Sequence, residues 1–137
     1  MPEPSQNTFR KSERMVSKKL IDTLFGGGHS RSAVAYPVRA VYMVAGRGEK
    51  DAPVQVLVSV SKRHFKRAVK RNRVKRQIRE AYRLNKHALT ELVGQSDGKA
   101  LALAFIWQAD RLYDSKRVSG SIKTLLEKVA KDFSQCP

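Results

Sequence analysis

Residues 54–83 read VQVLVSVSKRHFKRAVKRNRVKRQIREAYR, and the two halves of this stretch obey different periods. From Val54 to Ser61 the side chains alternate: Val54, Val56, Val58 and Val60 face one way, and Gln55, Leu57, Ser59 and Ser61 the other. A period of two with β-branched residues on the apolar side predicts a half-buried strand. The spacing then changes. From about Ala68 to Leu92, residues Val74, Ile78, Ala81, Tyr82, Leu89 and Leu92 recur at helical intervals, which predicts one continuous helix.

That helix is also where the charge sits. The chain has 137 residues with 28 Lys and Arg against 12 Asp and Glu, a formal net charge of +16. Residues 62–86 hold twelve of the basic residues and a single acid, Glu80, so most of the excess lies in under a fifth of the chain. A charge that served only solubility would be interspersed with acids; clustering on this scale predicts a surface for a polyanion, most commonly nucleic acid. Val74, Ile78, Ala81 and Tyr82 share one sector of a wheel that turns about 100° per residue. Lys75, Lys86, Arg79, Asn72, Arg83 and Arg76 fall about 100–200° away from Val74, roughly opposite the core. Residues 68–86 would extend about 28 Å, enough to follow several phosphates. The pairs Lys75 with Arg79 and Arg79 with Arg83 repel at i, i+4, so the arrangement costs stability. Arginine suits it because a planar guanidinium grips phosphate oxygens in two-pronged fashion. Asn72 adds a neutral donor and acceptor for a base edge, a 2′-hydroxyl or a water.

Before this stretch, Tyr36–Val44 reads as a strand with Val38, Ala40, Tyr42 and Val44 on one face and Pro37 at its start or on an edge. Across a polar turn at 46–53 it is expected to pair with residues 54–61 as an antiparallel hairpin. A further short strand has room in residues 30–53. Leu20, Ile21, Leu24 and Phe25 predict a helix from Ser17, capped by Ser17 and stopped by Gly26, Gly27 and Gly28. Residues 1–11 lack periodicity and read as an arm; residues 12–137 read as one domain. Ala100–Trp107 is nearly all apolar and suits a central strand covered on both faces, with Phe105 and Trp107 in the core. Asp114 or Ser115 should cap a final helix whose stripe is Val118, Ile122, Leu125, Leu126 and Val129. The expected fold is α+β, a two-layer sandwich of about three helices on a small, mostly antiparallel sheet, in the order α-β-β(-β)-α-β-α.

Several functions are excluded or disfavoured by what the sequence lacks. It has no apolar run of about 18 residues, so no membrane span is expected. The N-terminal segment has no apolar signal region, so a cytoplasmic location is expected. Cys136 is the single cysteine and can form neither an internal disulfide nor a cysteine-built metal site. No paired carboxylates, Cys/His cluster or serine triad stands out. Gly26-Gly27-Gly28 lacks the Lys-Ser/Thr of a phosphate-binding loop, and His29, His64 and His87 are isolated. A small-molecule substrate is not expected.

The string Val58-Ser59-Val60-Ser61-Lys62-Arg63, followed by Ala68-Val69-Lys70-Arg71-Asn72-Arg73-Val74-Lys75-Arg76-Gln77-Ile78-Arg79-Glu80, resembles the signature of the bacterial ribonuclease P protein subunit, a V-S-K-K-like strand end followed by A-V-x-R-N-x-x-K-R-x-x-R-E. Phe9-Arg10-Lys11 and Ile21-Asp22-Thr23-Leu24-Phe25 are similar to that family's N-terminal segment. The departures are Arg63 in place of the usual lysine, His64-Phe65-Lys66-Arg67 where a glycine turn is common, and a longer loop at 46–53. The resemblance implies an α/β sandwich with a left-handed βαβ crossover. It implies a partner RNA subunit that carries the catalytic centre, precursor tRNA as substrate, and removal of the tRNA 5′ leader with magnesium bound mainly by RNA. This chain would contribute no catalytic residue and hold no metal of its own. On the same resemblance Arg71, Asn72, Arg73, Lys75, Arg76 and Arg79 would contact the RNA subunit or lie near the leader, and Lys62, Arg63, Lys70 and Arg83 extend the cluster. A leader-binding cleft between the sheet and the N-terminal helix would draw on Ile21, Phe25, Tyr36 and Tyr42. The alternative is a structural RNA-binding protein of ribosomal type with no role in cleavage.

Overall fold

A computed structural model of the chain describes residues 14–15, 18–26, 28, 30–46, 52–96 and 98–135. Helix α1 (Lys18–Gly26) precedes strands β1 (Arg31–Ala35), β2 (Val38–Gly46) and β3 (Val54–Ser59). Helices α2 (Ala68–Asn85) and α3 (His87–Gly94), strand β4 (Lys99–Trp107) and helix α4 (Ser115–Gln135) complete the order. The arm at 1–11, the Ser17 cap, His29 and Cys136 lie outside the described residues.

The strands form one mixed sheet in the order β1-β2-β4-β3. β1 with β2 and β2 with β4 are antiparallel, and β3 with β4 is parallel. The hairpin expected between β2 and β3 is not formed, because β4 lies between them. The reason is burial. β4 is buried continuously from Ala100 to Phe105, and a strand apolar on both faces belongs in the middle of a sheet. Flanking it on both sides places Val41 and Val56 opposite Ala104 and Leu103, where a β2–β3 hairpin would leave one edge of β4 open.

Two further boundaries differ from expectation. Tyr36 and Pro37, joined by a cis peptide, form the turn between β1 and β2 instead of starting a strand, and the additional short strand is β1 itself. The long helix is broken at Lys86. Asn85 Nδ2 donates to the Ala81 carbonyl at 2.8 Å, and Lys86 O accepts the Thr90 amide at 2.9 Å to begin α3. A side-chain amide that competes for a helical carbonyl is a common way to end a helix.

Strand alternation sorts the core into two parts. Val38, Ala40 and Tyr42 of β2, Val54, Val56 and Val58 of β3, and Leu101, Leu103, Phe105 and Trp107 of β4 face the layer built by α2, α3 and α4. Leu103 and Phe105 are fully buried, and such side chains contribute on the order of 2 kcal/mol each. The opposite face carries Val41, Met43, Ala102 and Ala104 under Leu24 of α1 and Met15. The alanines keep that face shallow. Val44 shares the parity of Val38 but lies at the end of β2 and is exposed. The α4 stripe is buried as expected and gains Ser121 and Phe133. Asp114 supplies its cap, accepting the Arg117 amide at Oδ1, 2.8 Å.

Candidate nucleic-acid interface

The cationic helix is positioned by the loop that leads into it. After β3 the chain turns at Ser61: its carbonyl accepts the His64 amide at 3.1 Å, and its Oγ accepts the Arg63 amide at 3.0 Å. Phe65 is buried and anchors the loop in the core. Arg71 Nη1 reaches back to the carbonyls of Phe65 and Lys66, both at 2.8 Å. Arg71 therefore ties the loop to α2, a structural duty. Lys62, Arg63, Lys66, Arg67 and Lys70 are left on the surface around the start of the helix. Lys86, placed on the cationic stripe by the wheel, is instead buried at the break between α2 and α3.

Val74, Ile78, Ala81 and Tyr82 are the buried residues of α2, as the periodicity requires, and Asn72, Arg73 and Arg76 are exposed. Lys75, Arg79 and Arg83 are half-buried along one flank. That flank meets Arg14, which the sequence did not single out. Arg14 pairs in parallel with Val56, and the Met15 amide donates to the Val56 carbonyl at 2.9 Å, so this short piece of chain lies along the outer edge of β3. Arg14, Asn72, Lys75, Arg76, Arg79, Glu80 and Arg83 line a groove of about 400 Å³. Burial, and next the charge of Arg14, hold the Arg79 guanidinium below its ordinary value. Glu80 is gripped by Arg83 through Nε at 3.1 Å and through Nη2. That hydrogen bonding lowers the Glu80 carboxyl and raises the Arg83 guanidinium. One arginine in a polar segment carries no periodic signal, which is why Arg14 is invisible to sequence reasoning.

The four candidates for a leader cleft do not share one surface. Ile21 packs with Leu20 against the α1 face of the sheet, and Phe25 at the end of α1 is 49% exposed. Tyr42 points to the other face and is buried; its hydroxyl donates to Asp132 Oδ2 at 2.9 Å, beside an Arg31–Asp132 ion pair at 2.6 Å. Tyr36 stands in the β1–β2 turn, 52% exposed, near the start of α4. Among the described residues no group of three or more His, Cys, Asp and Glu is placed to hold a metal ion. The arrangement can therefore bind polyanions and apolar or aromatic groups.

The family model for Ribonuclease P matches residues 9–130. The chain is 42% identical over 130 residues to a ribonuclease P protein component of Porphyromonas gingivalis, covering 95% of this chain and 92% of that one. It is 32% identical over 136 residues to the component from Chlorobaculum tepidum, covering 93% and 86%. Its fold is similar to the RNase P protein of Staphylococcus aureus, with a TM-score of 0.62 at 19% identity over 87% of this chain and 96% of the other. The Thermotoga maritima RNase P protein gives a TM-score of 0.61 at 19% identity over 85% and 96%. With the motif at the end of β3 and along α2, the family match over nearly the whole chain and the shared fold in agreement, the chain belongs to the ribonuclease P protein component family.

Proposed function

We propose that this chain docks on a ribonuclease P RNA through α2 and the loop before it, and so assists magnesium-dependent removal of the 5′ leader from precursor tRNA in the cytoplasm. As a member of its family it is the protein part of a ribonucleoprotein endoribonuclease whose catalysis sits in the RNA. The observation that carries the docking surface is the groove of Arg14, Lys75, Arg76, Arg79 and Arg83 beside Asn72. Arg14, Lys75, Arg76 and Arg79 surround one concavity, with Arg83 held by Glu80, and cations so placed neutralise phosphates and release their condensed counterions, a sequence-independent term that scales with the number of contacts. Screening the repulsion between two RNAs lowers the magnesium needed to bring them together. The magnesium ions are held by RNA phosphates. Arg73, exposed on the same helix, extends the contact. The apolar surface around Ile21 and Phe25 on α1 offers the leader a place to lay its bases.

The test is reconstitution. The purified chain is added to a bacterial ribonuclease P RNA and precursor tRNA at low magnesium. Cleavage at the mature 5′ end should rise, with tighter substrate binding. No gain in either would overturn the proposal.

A further inference from the structure

A second aromatic and cationic cluster lies at the end of the sheet where β4 leaves it. The Tyr113 ring is boxed by Trp107 behind it, centroids 6.0 Å apart, and by Tyr36 edge-on at 6.2 Å. The guanidinium carbons of Arg111 and Arg117 lie 4.7 and 5.6 Å from its centroid. Tyr36 is half in water but not loosely placed. Its carbonyl accepts Ser121 Oγ at 3.2 Å and Arg117 Nη2 at 3.3 Å. The two acids nearby are already occupied: Asp110 with His64 Nδ1 at 2.6 Å, and Asp114 as the α4 cap. A groove of about 340 Å³ runs beside Tyr36 along the first turns of α4, over Gly120.

Gly120 lines this groove. It sits inside a helix, where glycine costs roughly a kcal/mol against alanine. A Cβ built there meets nothing within 4 Å, so no contact within the fold asks for glycine. A bare helix surface beside an exposed ring that rests edge-on against Tyr113 suits the close approach of an outside ligand. The cluster also adjoins the cationic helix: Gln77 of α2 donates to the Tyr113 carbonyl at 3.1 Å and to Ser115 Oγ at 3.2 Å, and the wheel puts Lys70 and Arg73 on the same flank as Gln77.

We propose that Tyr36, with Arg111, Tyr113 and Arg117, is a stacking platform for an unpaired nucleotide of the RNA subunit, with its backbone passing over Gly120. An aromatic face accepts any base, and the guanidiniums hold the adjoining phosphates. The RNA subunit is the chosen source because the exposed Arg73 lies between Gln77 and the groove residues around α2 and so links the platform to the docking surface. The proposal rests on the docking surface put forward above, and its test separates the two. Affinity for ribonuclease P RNA is measured across a salt series for the full chain and its variants. Tyr36→Ala should weaken binding roughly ten-fold with an unchanged salt slope, and Tyr36→Phe should bind as the parent does. Gly120→Gln should weaken binding while leaving the Tm equal or higher, which a purely structural role would not produce. Parent-like affinity of both Tyr36→Ala and Gly120→Gln overturns the platform, and so does a loss confined to precursor tRNA. Arg76→Ala with Arg79→Ala is the separate control: if it leaves affinity and slope intact, the docking surface on α2 is what fails.

Discussion

Arg14 and Arg79 line the same groove, where burial and then the charge of Arg14 hold the Arg79 guanidinium below its ordinary value. Two cations held together in the free protein are a cost that an anion between them removes. The downward shift, from burial first and Arg14 second, means that charged Arg79 is held at a cost wherever it is protonated, which is the whole physiological range.

Salt should therefore stabilise the isolated chain. Raising sodium chloride from about 0.02 to 0.3 M shortens the screening length to a few ångströms and should raise the Tm. Phosphate at equal ionic strength should raise it further by binding the folded state. Arg14→Ala should diminish the phosphate-specific part. Thermal scans across the two salts check this, and a Tm that is flat or falling with salt would contradict it.

Glu80 is the single acid of the basic stretch, and it occupies Arg83. Glu80→Gln should free Arg83 for phosphate, steepening the salt slope of RNA binding by about 0.7–0.9. The carboxyl is held below its ordinary value, so the pair's contribution to stability is present above the usual carboxylate range and disappears as pH falls through the lowered value. RNA affinity of the parent should accordingly approach that of Glu80→Gln in acid. Filter binding at several salt concentrations would show whether the slopes differ.

Arg71 and Arg76 look alike in the sequence and should behave differently. Arg71→Ala removes the donor to the Phe65 and Lys66 carbonyls and should cost roughly 1–3 kcal/mol of folding free energy. Arg76 is exposed, and Arg76→Ala should stay within about 0.5 kcal/mol of the parent while weakening RNA binding. Urea melts distinguish them; equal stabilities would mean that the loop does not depend on Arg71.

Trp107 is the single tryptophan and is fully buried, so its fluorescence should shift to longer wavelength on unfolding. Its Nε1 and Gln77 Oε1 have no hydrogen-bond partner among the described residues. Trp107→Phe should therefore cost less than the 3–5 kcal/mol of roughly a full aromatic deletion, because it also removes an unpaired buried donor. Denaturation followed by circular dichroism provides the number.

Much of this was legible in advance because it is local. The alternation of Val54, Val56 and Val58, the helical spacing of Val74, Ile78 and Tyr82, and the stripe from Val118 to Val129 each report their own element, and all are buried. Patterns of that kind say which face is wet and nothing about which element covers it. Tyr42 shows the limit: its parity with Val38 and Ala40 put it on a buried face, but only the packing of α4 and α1 on opposite sides of the sheet decides that it meets Asp132 and lies away from Ile21 and Phe25.

Local sequence pattern was enough to show that one helix would carry a cationic face, that Ala100–Trp107 would be covered on both sides, and, through the motif from Val58 to Glu80, which family the chain belongs to. Long-range packing is what sets β4 between β2 and β3, brings Arg14 to the groove beside Arg79, and gathers Tyr36, Arg111, Tyr113 and Arg117 at one end of the sheet. The division has a physical cause. Period and propensity act between residues a few positions apart, whereas strand order and long-range clusters are set by which arrangement buries the most apolar surface of the whole chain.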